Sequence, residues 1–255
     1  MPSGSAGQSL QTRLVQAVKN ANEDMTTIFG SAALANAIHD GASASAASEA
    51  MPRIIQCLGQ AAYLEQWSKW TASCCRNFLM KAQPDARRVV ERAGLGESLA
   101  DMIEPNEERG NDKRYTTDSI NAIADCISWA ACMSASLADS FASAIGLTWL
   151  ALHLSTTCSS APFPACQAVA RVASQLSSSA VSRHLGDHRT LSNLASFFNQ
   201  SSNRNAKGYL APALLLLSDS QLRRVSLARS GLEHARDNRT KLQSQQLAKL
   251  SLSDD

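Results

Sequence analysis

Leu137-Ala138-Asp139-Ser140-Phe141-Ala142-Ser143-Ala144-Ile145-Gly146-Leu147-Thr148-Trp149-Leu150-Ala151-Leu152-His153-Leu154 is the stretch that decides the fold. Wound at 3.6 residues per turn it is apolar on nearly every side, the mark of a helix buried all round. It is predicted to be the central helix, with Phe141, Ile145, Trp149 and Leu152 in the core. Its most apolar part, Phe141 to Leu154, covers 14 residues and includes Ser143, Thr148 and His153. That is short of the ~20 apolar residues that cross a bilayer, so no membrane partner is expected.

Composition extends the helical reading to the whole chain. Alanine (41) and serine (35) make up a large share of 255 residues, while Trp, Tyr and Phe number 4, 3 and 6. Alanine favours helix and lets helices approach closely; scarce aromatic and β-branched residues argue against a sheet. The fold class is therefore all-α: an N-terminal helical arm followed by a two-lobed helical domain. A charged fraction of 18% and a hydrophobic fraction of 44% exclude a disordered chain.

Upstream of the central helix, Leu10, Leu14, Val18, Ala21, Met25 and Ile28 recur at three and four residues, which predicts one helix ending at a C-cap glycine, Gly30. A short helix around Ala32–Ile38 follows, then the low-complexity run Gly41–Ser48, read as a linker. Residues 1–48 are thus expected to form a leader and separable arm whose apolar stripe joins a neighbouring subunit. Residues 49–114 form the first lobe: Ile54, Ile55, Leu58, Ala62, Trp67 and Trp70 share a helix face, and Asp85 caps a helix ended by Gly94 and Gly96. The polar run 105–114 is a surface loop. Residues 115–255 form the second lobe, with Thr117 or Asp118 as a cap, Pro162 and Gly186 as breaks, and Pro212 starting the helix Ala213–Leu217. No period of 20–50 residues is visible in the sequence, so a solenoid is not expected.

Chemistry-bearing patterns are sparse. His184 and His188 flank Asp187 at a metal-like spacing, but Gly186 breaks the helix that spacing needs and no third ligand is near. The chain has no G-x-S-x-G elbow, Walker loop or G-x-G-x-x-G; Gly94-Leu95-Gly96 is a terminator. Cys74-Cys75 beside Arg76 reads as an activated thiol or, more simply, as a core position. Seven cysteines without a C-x-x-C pair fit a reducing compartment. The N-terminus has no basic region leading into an apolar run, and a cytoplasmic location is expected. No enzyme activity, metal, cofactor or small-molecule substrate is expected.

Charge layout is more informative. Net charge is only +2, yet residues 183–250 hold eleven basic residues against Asp187, Asp219, Glu233 and Asp237, a local +7. Arg87, Arg88, Arg109, Lys113 and Arg114 cluster around the polar loop, and Arg204 and Lys207 open the basic third. Guanidinium forks suit phosphate, so these seven residues are the candidate RNA-backbone contacts, with Tyr115 and Tyr209 as stacking candidates. A salt-bridged solvent face is the simpler account of the same residues.

The segment Asp85-Ala86-Arg87-Arg88-Val89-Val90-Glu91, a Gly-containing turn, a short helix ending in Met102-Ile103, and Arg109-Gly110-Asn111 in a basic loop resembles the N-terminal lobe of phlebovirus-type (phenuivirus) nucleocapsid proteins. The resemblance covers about 30 residues. It implies an arm that joins subunits and a basic slot that sequesters single-stranded RNA, with backbone contact assigned to Arg109 and then to Lys113 and Arg114. The leading expectation is non-enzymatic encapsidation of single-stranded RNA in a virion-associated ribonucleoprotein. The alternative is a helical protein–protein interaction module, an adaptor or secreted effector, without nucleic acid.

Overall fold

The structure, a computed structural model, describes residues 10–60, 68–82, 85–103, 116–143, 146–156, 163–176 and 188–217. It is all-α. Among the described residues there are twelve α-helices, one 3-10 turn and no strand. The helices are α1 (Leu10–Lys19), α2 (Asp24–His39), α3 (Met51–Gln60), α4 (Ser68–Lys81), α5 (Ala86–Arg92) and α6 (Leu95–Ile103). They continue with α7 (Thr117–Met133), α8 (Ala135–Ser143), α9 (Gly146–Thr156), α10 (Phe163–Gln175), α11 (His188–Gln200) and α12 (Arg204–Leu217). The chain forms two compact units, Met1–Cys126 and Ile127–Asp255, so the division falls inside α7 rather than at 114/115.

A recurring order runs through these elements. A short helix, a medium one and a longer one follow one another as the 3-10 turn Ser45–Glu49, α3 and α4; then α5, α6 and α7; then α8, α9 and α10. The medium helices begin at Met51, Leu95, Gly146 and His188, roughly 40–50 residues apart. Packing follows the same order. In the first unit α2 lies against α4 and α3 against α6; in the second, α10 lies against α12 and α9 against α11. The repeat is therefore one of packing. Side-chain identity does not carry it, because alanine-rich faces fit one another without a shared motif.

The N-terminal segment is not a separate arm. α1 and α2 pack on each other, and α2 packs on α3 and α4 of the same unit. Val15, Val18, Ile28, Leu34 and Ile38 are buried there. The single helix expected up to Gly30 is broken after Lys19, and α2 then runs through Gly30. A Cβ at Gly30 would strike the Val18 side chain, so this glycine permits the close approach of α1 and α2. The stop comes instead at Gly41, at φ 103°. There Ala42 N donates to Ala37 O at 2.9 Å, closing a Schellman cap.

The expected linker is packed as well: Ala44, Ala47 and Ala50 are buried around the 3-10 turn. Lys19 Nζ reaches Glu49 Oε2 at 2.8 Å, and Gln11 Nε2 donates to Ser43 O at 2.6 Å. Arg53 holds the α1–α2 junction, donating to Ala21 O (3.1 Å) and Asp24 Oδ1 (2.9 Å).

The stretch expected to be the central helix carries α8 and α9, with residues 144–145 between them outside the described residues. A Cβ at Gly146 would collide with the Phe141 ring and carbonyl, so α9 begins on a residue that has none. Phe141, Leu150 and Trp149 are buried, while Ile145 and the Leu152 side chain lie outside the described residues. Gly94 ends α5 as expected, at φ 72°, but Gly96 sits inside α6. α12 starts before Pro212 because Asn203 Oδ1 accepts from the backbone of Asn205 (3.0 Å) and Ala206 (3.1 Å), an N-cap that fixes Arg204 as the first helical residue.

Candidate binding face on the long helices

In the first unit, α4 presents one half-buried stripe: Lys69, Trp70, Ser73, Arg76 and Met80. These positions recur at three and four residues, so a helix places them on one side. The opposite side carries Ala72, Cys75, Phe78 and Leu79 into the core. Trp70 packs against Ile28 and Cys57, leaving part of its ring outward. The start of α7 supplies Asp118 and Asp125.

Two ion pairs join the helices, Lys69 Nζ–Asp118 Oδ2 at 4.0 Å and Arg76 Nη1–Asp125 Oδ2 at 3.5 Å. Each partner set is spaced two turns along its own helix, which puts the pairs in step. The Lys69 ammonium also sits 4.9 Å from the centre of the Trp70 ring. Side-chain exposure is 33% for Lys69, 79% for Asp118, 31% for Arg76 and 30% for Asp125. Pairs this exposed contribute about 0–1 kcal/mol each, so they orient side chains more than they stabilise the fold.

Beneath the stripe lies a polar defect. Arg76 Nε and Asn77 Oδ1 are buried with no hydrogen-bond partner, although Asn77 Nδ2 donates to Ala35 O of α2 at 2.8 Å. Buried unsatisfied atoms cost stability, and native cores hold few of them.

The surroundings of the cysteines here disfavour the thiolate. Burial pushes Cys74 up to about 12 and Cys57 up to about 11. Cys75 is raised by its hydrogen bond with Cys126 and then by burial. The neighbouring Arg76 brings neither thiol down, so the activated-thiol reading of Cys74-Cys75 fails on desolvation. Among the described residues no three His, Cys, Asp or Glu side chains are placed to hold a metal ion.

In the second unit, the Arg171 guanidinium on α10 lies 5.0 Å from the centre of the Trp129 ring and donates to Ser128 Oγ at 3.0 Å. Cys132 is pushed up to about 11 by burial, which Arg171 partly offsets. His153, edge-on to Trp149 with ring centres 4.4 Å apart, is brought down to about 4 by burial.

The residues singled out from sequence fare unevenly. Arg109, Lys113, Arg114 and Tyr115 lie outside the described residues, as does the basic chain beyond Leu217. Arg87 is exposed on α5 and paired with Glu91 at 3.0 Å; Arg88 is exposed beside it. Arg204 is exposed at the start of α12, and half-buried Lys207 lies 5.4 Å from the centre of the Phe198 ring. Arg87 and Arg88 thus belong to the first unit, Arg204 and Lys207 to the second. The stripe of α4 was missed, although the matched spacings of Lys69 and Arg76 and of Asp118 and Asp125 were its signal.

No family model and no curated protein matches the sequence. Solved structures do match in fold. Those whose type is given are designed armadillo repeat proteins, so a chain with no visible sequence period can share the fold of a helical repeat. One, a computationally designed armadillo repeat protein for modular peptide recognition, has a TM-score of 0.68 at 16% identity, covering 94% of this chain and 95% of that one. Another, a designed armadillo repeat protein in complex with the peptide (KR)4, has a TM-score of 0.60 at 14% identity, with 95% and 97% covered. An engineered protein gives 0.66 at 16%, with 96% of each chain covered. At such identities the likeness is one of fold alone.

Proposed function

We propose that this protein is a non-enzymatic helical-repeat interaction module that binds an extended polypeptide segment on the α4–α7 face of its first unit. The observation that carries the reading is the stripe itself. Cations and carboxylates pair there in step, with the Trp70 ring beside Lys69 and unsatisfied polar atoms beneath. A peptide offers backbone donors and acceptors and side chains of both signs, which suits a mixed-sign face. A polyanion calls for unneutralised cations, and here Lys69 and Arg76 already face carboxylates. Two fold neighbours described as made for peptide recognition or bound to a peptide support the same reading.

The test is a polarisation titration of the purified full chain. Labelled extended octapeptides of acidic, basic and mixed composition are run beside labelled single-stranded oligouridine at low salt. Peptide binding is expected, and Trp70→Ala or Asp125→Asn should weaken it about tenfold, the scale of losing one central interface side chain. Saturable oligouridine binding with no peptide binding would overturn the proposal in favour of RNA encapsidation.

A further inference from the structure

A different feature of the first unit points to a second ligand site. Between the 3-10 turn with the start of α3 on one side and α5 on the other lies a cleft of about 270 Å³, lined by Ser48, Pro52, Arg88, Val89, Arg92 and Ala93. α5 carries three arginines and a single acid, and its geometry sorts them. Arg87 and Glu91 are four apart and pair with each other at 3.0 Å. Arg88 and Arg92, also four apart, occupy the adjacent strip of helix and line the cleft. Both are exposed, and neither has an ion pair or hydrogen bond among the described residues.

Glu49, the chain neighbour of Ser48, is engaged elsewhere: Lys19 Nζ lies 2.8 Å from its Oε2, and this pairing holds its carboxyl below the usual range. Two like charges one turn apart weaken a helix, and no acid on the lining relieves them. The cleft therefore carries two guanidinium forks without an ion-pair partner among the described residues, one hydroxyl from Ser48, and an apolar surface from Pro52, Val89 and Ala93.

We propose that this cleft binds a phosphate monoester group. Two forks can donate to a dianion from two sides, and a monoester carries about −1.5 to −2 near neutral pH. A carboxylate, with one charge, would occupy a single fork. The volume is below that of pockets that enclose a drug-sized ligand, so the cleft takes the phosphoryl group and the carbon that bears it and leaves anything larger outside. Pro52, Val89 and Ala93 would meet that carbon. A phosphorylated serine or threonine side chain and a small free phosphate share this chemistry.

The experiment titrates the full chain with three probes, N-acetyl-O-phosphoserine amide, N-acetylserine amide and inorganic phosphate, read by calorimetry and by ³¹P line broadening. The phosphorylated probes should bind saturably and the unphosphorylated amide should not. Tighter binding of the phosphoserine amide assigns the source to a phosphorylated side chain; tighter binding of inorganic phosphate assigns it to the free ion. Arg88→Gln with Arg92→Gln should lower affinity tenfold or more, and the paired lysine variants should fall between, keeping charge without forks. Arg204→Gln, an exposed arginine of the second unit, should change nothing. Circular dichroism checks that the variants stay folded. Equal affinity in wild type and the double glutamine variant, or no saturable binding in the millimolar range, would overturn the site. Neither result touches the α4–α7 face, which uses none of these residues.

Discussion

Asn77 tests whether a buried polar atom in this core is a support or a burden. The residue is 3% exposed; Nδ2 donates to Ala35 O of α2 at 2.8 Å and Oδ1 has no partner. Asn77→Leu loses one neutral hydrogen bond, worth about 0.5–1.5 kcal/mol, and removes a desolvated acceptor that costs about 1–3 kcal/mol. A volume-matched hydrophobic swap adds up to about 1.5 kcal/mol of misfit. These contributions nearly cancel, so Asn77→Leu should unfold within about 1 kcal/mol of the wild type. Asn77→Asp keeps the shape but replaces the donor with an oxygen facing the Ala35 carbonyl and buries a charge without a partner. That should cost about 3–5 kcal/mol at neutral pH.

The sign of its pH dependence follows. The buried carboxyl would titrate above the unfolded value of about 3.9, so the unfolded chain loses its proton first as pH rises. Stability of Asn77→Asp should therefore recover as pH falls towards about 4, and Asn77→Leu should show no such recovery. Urea unfolding followed by circular dichroism at several pH values measures both. Equal destabilisation of the two variants would refute the reasoning and make the hydrogen bond to α2 the dominant contribution.

Trp149→Ala should cost about 3–5 kcal/mol, because the residue is 8% exposed and removal of its ring leaves a cavity beside His153; an unchanged melting temperature would contradict its burial. His153 is held down to about 4, below the unfolded value near 6.5, so protons favour the unfolded chain in that window. Stability should fall on the order of 3 kcal/mol as pH drops from about 6.5 to about 4, and His153→Leu should flatten that slope in thermal melts. Deleting residues 1–40 removes Ile28, Leu34 and Ile38 from the core of the first unit and strips the partner helix from α4. The truncated chain should lose cooperative unfolding of that unit; a well-folded smaller oligomer would favour the detachable arm instead.

Local chemistry was legible in the sequence where one residue acts on its own neighbours. All-helical character follows from alanine content and apolar periodicity, the stop at Gly94 from glycine's access to positive φ, and the burial of Phe141 and Trp149 from the lack of charge around them. The candidate site was less legible. Arginines were visible, but whether each is free depends on an acid that can be close or far in the chain: Arg87 finds Glu91 on its own helix, whereas Arg76 finds Asp125 on another.

Other features needed the tertiary structure because their cause lies on a second helix. Gly30 reads as a cap until Val18 is seen against it, and the need for glycine at 146 shows only once the Phe141 ring is found where its Cβ would be. The Ala/Ser run looks like a linker until Ala44, Ala47 and Ala50 are found buried. The repeat order is the largest such case. Small alanine faces carry little shape information, so the sequence by itself determined that helices form and roughly where they end. Which helix packs on which was decided only in three dimensions, where the larger side chains between those faces find the spaces that admit them.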